Sequence, residues 1–119
     1  MNHQFKIAVD VDGAWLRLRV EGEMGTSEAS ELLDSIKSAV RCDYPGIDID
    51  LSGVTSIDYA ALDVLVQGER AARNCESAFG YRCRLRILRP SRAVEVALRA
   101  AGLDGYLDIV ESLDGQPAA

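Results

Sequence analysis

The chain has 119 residues, 48% of them hydrophobic and 27% charged, which is the composition of one globular domain rather than of a disordered segment or of two ordinary domains. Its 13 basic and 19 acidic residues give a formal charge of −6 at pH 7, which disfavours nucleic acid and anionic lipid surfaces as direct partners. No stretch approaches the roughly 20 apolar residues that cross a membrane, and residues 1–4 begin no signal peptide. We therefore expect one cytoplasmic domain over residues 1–119, with its core at about 5–112 and a flexible tail at 113–119.

The N-terminal residues predict a β-hairpin. Apolar residues alternate with polar ones over 5–11 and again over 16–20, and Asp12-Gly13 supplies the turn. Trp15 falls on the face opposite the leucines. With Arg17 and Arg19 it forms a partly exposed aromatic and cationic strip, or it is covered by the N-terminal strand or a loop, and the sequence leaves both open.

A first helix is predicted to follow the hairpin. Thr26 or Ser27 is the expected N-cap, and residues 43–46, Asp-Tyr-Pro-Gly, end the helix. One face of this helix is apolar and consists of Leu32, Leu33, Ile36, Ala39 and Val40.

The segment 47–63 combines a strand, a turn and a helix start. Its apolar residues at 47, 49 and 51 alternate with Asp48 and Asp50, which predicts a strand with one buried and one polar face. This alternation stops at Ser52-Gly53, where we expect a turn. Asp58 stands where an N-cap carboxylate accepts backbone N–H bonds, so Tyr59 is the first expected helical residue.

The remaining elements complete an alternating pattern. Arg82, Arg84 and Arg86 alternate with apolar residues, which predicts a strand whose basic face is solvated and lies opposite Asp48 and Asp50. A third helix is expected to open at Pro90 and to stop at Gly102, before a short strand at about 107–110. Strands alternating with helices after an opening hairpin indicate an α/β fold, a mixed β-sheet with the helices packed on it.

The ordered motifs resemble those of the STAS domain, the family of anti-sigma factor antagonists. Asp58-Tyr59-Ala60-Ala61-Leu62-Asp63 stands where that family has Asp-Ser-Ser-Gly-Leu-Gly. Glu21-Gly22-Glu23-Met24 is similar to the family's Gly-Glu-Leu-Asp turn, and residues 85–91 followed by 101–104 match later segments. The resemblance covers about residues 5–112 and implies a single STAS-like domain.

The resemblance implies a binding module that captures an anti-sigma factor, a kinase-like ATPase, through the loop and helix start at 52–66. The partner-binding residues it implies are Met24, Asp58, Tyr59, Ala60, Ala61, Leu62 and Asp63. The serine that a partner kinase modifies in the family is Tyr59 here, so we do not expect the usual serine switch. Ser52, Thr55 and Ser56 are candidate substitute phosphosites, with ordinary turn chemistry as the alternative.

Two further interpretations stay open at this point. The chain is alternatively a STAS subunit or scaffold of another complex, either an ABC lipid-transport component or a ligand sensor. A homodimer is also compatible with the sequence. Neither interpretation involves nucleic acid or insertion into a membrane.

Catalysis, cofactors and metals are not expected. The single histidine, His3, lies at the N-terminal end, and the sequence has neither a Gly-rich phosphate loop nor zinc-ligand spacing. Cys42, Cys75 and Cys83 are predicted to be free thiols, although Cys75 and Cys83 are close enough in sequence to close a short disulfide loop.

Overall fold

The computed structural model describes residues 5–42, 44–75 and 83–111. In chain order its elements are β1 (Lys6–Asp12), β2 (Trp15–Met24), α1 (Thr26–Arg41), β3 (Gly46–Ile57), α2 (Tyr59–Asn74), β4 (Arg84–Leu88), α3 (Arg92–Ala100) and β5 (Ile109–Val110). The five strands form one sheet in the order β1-β2-β3-β4-β5, in which β1 and β2 are antiparallel and the other neighbours are parallel. The predicted α/β fold with an opening hairpin is confirmed.

The core lies between the sheet and the helices. Three successive β-α-β connections run in the same direction along the sheet, so right-handed crossovers place all three helices on one face. Fully buried side chains from every one of these layers meet there, among them Leu18, Val20, Leu32, Ile36, Ile47, Ile49, Leu51, Leu65, Ile87, Val94 and Leu98. Gly68 lets α2 approach α1 closely, because a Cβ at that position would lie 2.8 Å from Ile36 Cδ1.

Strand β3 is longer than the sequence predicts. It runs through Ser52 and Gly53 to Ile57, so the expected turn is instead an irregularity inside a strand, where the pairing with β2 shifts register. At this point the two backbones are close, and a Cβ on Gly53 would lie 3.3 Å from the Val20 carbonyl oxygen. Gly53 therefore allows the two strand backbones to approach closely and does not change the direction of the chain.

The start of α1 corrects another prediction. The N-cap is Gly25 rather than Thr26 or Ser27, and the Gly25 N–H donates to the Glu28 carboxylate over 3.1 Å. Gly25 has no side chain to cap the helix, so the bond runs from the cap backbone to the third helical residue, as in half of a capping box. In the sequence, the signal for this cap is a glutamate, Glu28, three residues after Gly25.

Helix α3 begins two residues later than predicted. Pro90 precedes the helix, and Ser91 is the N-cap, whose hydroxyl accepts from the Val94 N–H over 3.3 Å. The helix therefore starts at Arg92. The predicted stop at Gly102 is confirmed, since its φ of 73° is the left-handed conformation in which helices commonly end.

The sheet face opposite the helices is not the solvated ladder that the alternation of charges predicts. Asp48 is only 1% exposed and receives two hydrogen bonds from Arg86, of 2.7 Å to Oδ1 and 3.0 Å to Oδ2. The Arg86 guanidinium in turn lies 3.6 Å from the centre of the Trp15 ring. The register pairs Asp48 with Arg86, so the predicted position of the basic strand opposite Asp48 is confirmed. The predicted solvation of these two residues was wrong, because the methylene stems and planar head groups of arginines cover the shorter carboxylates beneath them.

Trp15 is half-buried on this same face. Its ring lies against the backbone of Gly46, where a Cβ would come within 2.3 Å of a ring atom, and Arg86 stacks on it. The ring is thus contacted by the backbone of β3 and by a side chain of β4. Arg82, the first residue of the predicted basic ladder, lies outside the described residues, as does the tail at 113–119.

Candidate partner-binding surface

Helices α1 and α2 begin side by side at the carboxyl ends of β2 and β3. The Asp58 N–H donates to the Met24 carbonyl over 3.2 Å, which ties the two strand ends together. Asp58 Oδ1 accepts from the Ala61 N–H over 3.1 Å, so the predicted N-cap of α2 is confirmed. The other oxygen, Oδ2, lies 3.5 Å from the Thr26 hydroxyl, which donates to it from the first turn of α1.

The side chains predicted to bind a partner divide into two groups. Asp58, Tyr59 and Asp63 are exposed and Ala60 is half-buried, whereas Met24, Ala61 and Leu62 are buried in the core. The Tyr59 side chain is 84% exposed, so its ring does not fold back onto the helix. The structure therefore brings the predicted residues together, but only the first group presents side chains to solvent.

Two concave surfaces flank the exposed Tyr59 side chain and the Asp58 cap. The first, which we call the alanine groove, has a volume of about 220 Å³ and lies between the start of α2 and the C-terminal half of α3. It is lined by Ile57, Asp58, Tyr59, Leu62, Ala97, Ala100 and Ala101. The sequence prediction missed the α3 side of this groove, because alanines on a helix carry no signal that distinguishes a groove wall from a packed face.

The second concave surface, the acidic groove, has a volume of about 380 Å³. It lies on the other side of Asp58 and is lined by Phe5, Glu23, Met24, Gly25, Glu28, Ser56, Ile57 and Asp58. Three carboxylates thus meet at the adjoining starts of α1 and α2, where the helix dipoles favour negative charge. The arrangement disfavours an anionic ligand and favours a basic rim on any protein that docks here.

The candidate hydroxyls differ in their surroundings. The Ser52 hydroxyl donates to Asp50 Oδ1 over 2.7 Å, and the Ser52 N–H donates to the same oxygen over 3.0 Å, so both groups are engaged locally within strand β3. Thr55 and Ser56 are exposed at the end of β3. Ser56 is the one that lines the acidic groove.

Asp50 connects this end of the sheet to α3. It is 1% exposed and accepts from Arg89 Nη2 over 2.7 Å, while Arg19 Nε lies 3.6 Å away. Burial alone would raise the pKa of Asp50, but the hydrogen bonds from the Ser52 N–H, from Arg89 and from the Ser52 hydroxyl outweigh it and lower the pKa. These bonds hold the carboxylate ionised under the surface.

Arg89 is the residue through which Asp50 positions the third helix. Its φ of 46° is left-handed, a conformation that L residues seldom adopt, and its N–H donates to the Val110 carbonyl over 2.7 Å. The Ser91 N–H then donates to the Leu51 carbonyl over 3.2 Å. The bend at Arg89 thus anchors the start of α3, and with it the alanine wall of the groove.

The cysteines are free thiols. Cys42 is exposed, Cys75 is half-buried and Cys83 is buried. Burial, with a smaller contribution from Cys75, raises the pKa of Cys83 to about 11, so its reactive thiolate form is scarce at neutral pH.

Over residues 5–42, 44–75 and 83–111, no cluster of three His, Cys, Asp or Glu residues could hold a metal ion. In the same residues, no helix has the length and apolarity to span a membrane.

A family model described as "Mlab, STAS domain" matches residues 7–111. The chain belongs to the STAS domain family. No curated protein matches the chain.

Solved STAS-like structures share this fold at low sequence identity. An anti-sigma factor antagonist from Mycobacterium paratuberculosis aligns with 93% of this chain and 89% of its own, at 21% identity and a TM-score of 0.78. The anti-sigma factor antagonist SpoIIAA in its unphosphorylated form aligns with 90% of this chain and 88% of its own, at 16% identity and a TM-score of 0.68. Phosphorylated Bacillus SpoIIAA covers 90% and 91%, at 16% identity and a TM-score of 0.62.

Proposed function

We propose that this STAS domain is a non-catalytic binding module of the anti-sigma factor antagonist type, which acts in the cytoplasm. Its partner would be an anti-sigma factor, a kinase-like ATPase, whose capture releases a sigma factor. The fold that the chain shares with anti-sigma factor antagonists supports the class of function. The observation that carries the site is Tyr59, 84% exposed at the first position of α2.

Tyr59 has the properties of an interface anchor. A tyrosine supplies a large contact area and a polar tip at low cost in side-chain entropy, and such residues dominate many protein interfaces. Here the ring stands at the rim of the alanine groove, which is open for an apolar side chain of the partner. Asp58 and Asp63 are exposed beside it, so we propose a partner surface with an apolar centre and basic residues around it.

We further propose that docking is not switched by the usual serine phosphorylation, because Tyr59 occupies the family's serine position. Ser52 is engaged with Asp50 and is the least available of the substitute hydroxyls. A phosphate on Ser56 would enter the acidic groove, where Glu23, Glu28 and Asp58 would repel it. Thr55 remains a candidate phosphosite, as an exposed hydroxyl at the end of β3.

Affinity purification from the native cell under non-reducing conditions tests this proposal, with mass spectrometry of the partners and of the bait. We expect an ATPase of the anti-sigma factor kind, bound to a bait without phosphate on serine or threonine. If the bait is phosphorylated at Thr55 and this form does not bind the ATPase, docking is switched by phosphorylation rather than constitutive. Recovery of no ATPase of this kind would contradict the proposed partner.

A second candidate function is a STAS subunit of another complex, such as an ABC lipid-transport component. The observation that favours it is the name of the matched family model, "Mlab, STAS domain", which does not refer to sigma regulation. Both candidates would use a protein-docking surface, so the partner distinguishes them. Transporter ATPase subunits recovered with the bait, or encoded beside its gene, would support this second function in place of the first.

A further inference from the structure

Strand β1 is an edge of the sheet, and within residues 5–42, 44–75 and 83–111 no strand lies beside its outer backbone groups in the order β1-β2-β3-β4-β5. The hairpin pairs Asp12 with Trp15 across a two-residue loop in which Gly13 has a φ of 64°. The pair that closes such a loop is hydrogen-bonded, and hydrogen-bonded pairs alternate along an antiparallel ladder. The N–H and C=O groups of Ile7, Val9 and Val11 therefore point outward, away from β2.

The same edge carries exposed apolar side chains. Val9 is 60% and Val11 is 52% exposed, although both lie on the sheet face that the helices cover elsewhere, opposite the buried Leu18 and Leu16. Helix α1 leaves this edge uncovered, and the gap between β1 and α1 is a groove of about 400 Å³ whose wall includes Val9, Leu16, Leu18 and Tyr44. An edge strand with free backbone groups and exposed valines is a template for pairing with another strand.

We propose that the occupant of this edge is the β1 strand of a second copy of the chain, which runs antiparallel to the first with Val9 opposite Val9. This register pairs all seven residues of β1 and directs the outward N–H and C=O groups of positions 7, 9 and 11 at one another. Its pairs are Lys6 with Asp12, Ile7 with Val11, Ala8 with Asp10, and Val9 with Val9. The strand is therefore complementary to itself, both in charge and in apolar character.

Charge complementarity selects the second copy over an arbitrary strand. Two Lys6–Asp12 pairs of opposite charge form at the ends of the interface, and no residue faces a like charge directly. Asp12 already contacts Arg17 over 3.2 Å, and a carboxylate can accept hydrogen bonds from both cations. Against this, the two Asp10 side chains lie on a diagonal, and each copy carries a net charge of −6. The dimer is thus weak and depends on protein concentration.

The interface goes beyond the proposed function and does not obstruct it. Strand β1 is two positions away from β3 in the sheet, and β3 is the strand that leads into α2 and the alanine groove. A two-fold dimer through β1 would therefore present two docking surfaces in one continuous sheet. A chain that does not dimerise could still capture the partner, and a chain that does not capture the partner could still dimerise.

Val9→Pro separates the interface from the fold. The Val9 N–H points outward, so proline removes a hydrogen bond of the dimer but none of the β1–β2 ladder, and edge strands tolerate proline. Sedimentation equilibrium of the full chain in 0.15 M salt should show wild-type dimers and Val9→Pro monomers with the same circular dichroism spectrum. A wild-type chain that stays monomeric up to about 1 mM, or a folded Val9→Pro chain that dimerises as wild type does, would overturn the proposal.

A charge exchange tests the register. Lys6→Asp places two carboxylate pairs across the interface and should weaken the dimer by about tenfold or more. The double variant Lys6→Asp with Asp12→Lys restores two opposite pairs and should recover the wild-type dissociation constant to within a few-fold. A slip of two residues would bring Lys6 opposite Asp10 instead. Because Asp12→Lys also removes the contact with Arg17 inside each chain, circular dichroism first checks that the double variant is folded. Failure of the folded double variant to recover dimerisation would exclude the proposed register.

Discussion

Replacement of Asp48 by asparagine should destabilise the protein far more than a surface charge change does. The substitution keeps the shape of the side chain and removes its charge, so the Arg86 guanidinium loses the carboxylate that it holds through bonds of 2.7 and 3.0 Å. Breaking a fully buried ion pair costs about 3–5 kcal/mol. Arg86 is 18% exposed and keeps its contact with the Trp15 ring. Its partial hydration and this cation–π contact offset part of that cost. We therefore expect a loss of about 2–3 kcal/mol in the free energy of unfolding.

The matched control is Asp108→Asn, which breaks the ion pair with Arg84, two residues before Arg86 on β4. That pair has a similar length of 2.9 Å, but its side chains are 66% and 45% exposed, so the loss should stay below about 1 kcal/mol. Urea unfolding followed by circular dichroism measures both variants without relying on the emission of Trp15, which lies beside the substituted site. An equal loss of unfolding free energy in the two variants would refute the buried ion pair and would support solvated charges at Asp48 and Arg86.

Three further outcomes follow from the contacts. Gly46→Ala would place a Cβ 2.3 Å from the Trp15 ring, so it should cost about 1–3 kcal/mol and shift the emission of the single tryptophan to longer wavelength, as a fluorescence spectrum would show. Because the pKa of Asp50 is lowered in the folded state, its ionisation contributes to stability above the unfolded pKa of about 3.8, and this contribution is lost as the pH falls through the folded pKa. In Asp50→Asn, the free energy of unfolding should therefore fall less steeply between pH 5 and pH 2 than in the wild type. Asp58→Ala removes the cap that accepts from the Ala61 N–H and should cost about 1 kcal/mol in thermal or urea unfolding, whereas Asp58→Asn should keep most of that stability.

The sequence predicted those features that depend on local spacing. The hairpin turn at Gly13 and the cap at Asp58 were predicted correctly, because a glycine between alternating strands and an acid before a helical pattern each specify a local backbone geometry. The same local reasoning misplaced the start of α3, since Pro90 fits the first turn of a helix and Ser91 fits its cap equally well when each is considered alone.

Features that depend on which strands become neighbours were not predictable from one segment at a time. Asp48 and Asp50 alternate like solvent-facing residues, and the sequence predicted a basic strand opposite them. Their burial was not predicted, because it depends on arginines that both neighbouring strands and the bend at Arg89 bring over them. The continuation of β3 through Gly53 has the same cause, because the strand is held by the pairing with β2. For the candidate site, the position of Tyr59 followed from the cap, whereas the α3 wall of the alanine groove required the tertiary fold.

Quantitative affinity purification with a tyrosine variant tests whether the partner docks at the start of α2. Tyr59→Asp removes the exposed ring and should leave the fold intact, because an acid at the first position of a helix is favoured by its dipole. The matched control is Tyr106→Asp, which alters another exposed tyrosine, one that contacts Arg73 at the far end of α2. With equal amounts of bait, we expect Tyr106→Asp to recover the ATPase anti-sigma factor as the wild type does and Tyr59→Asp to lose most of it. Undiminished recovery by a folded Tyr59→Asp variant would contradict docking at the start of α2.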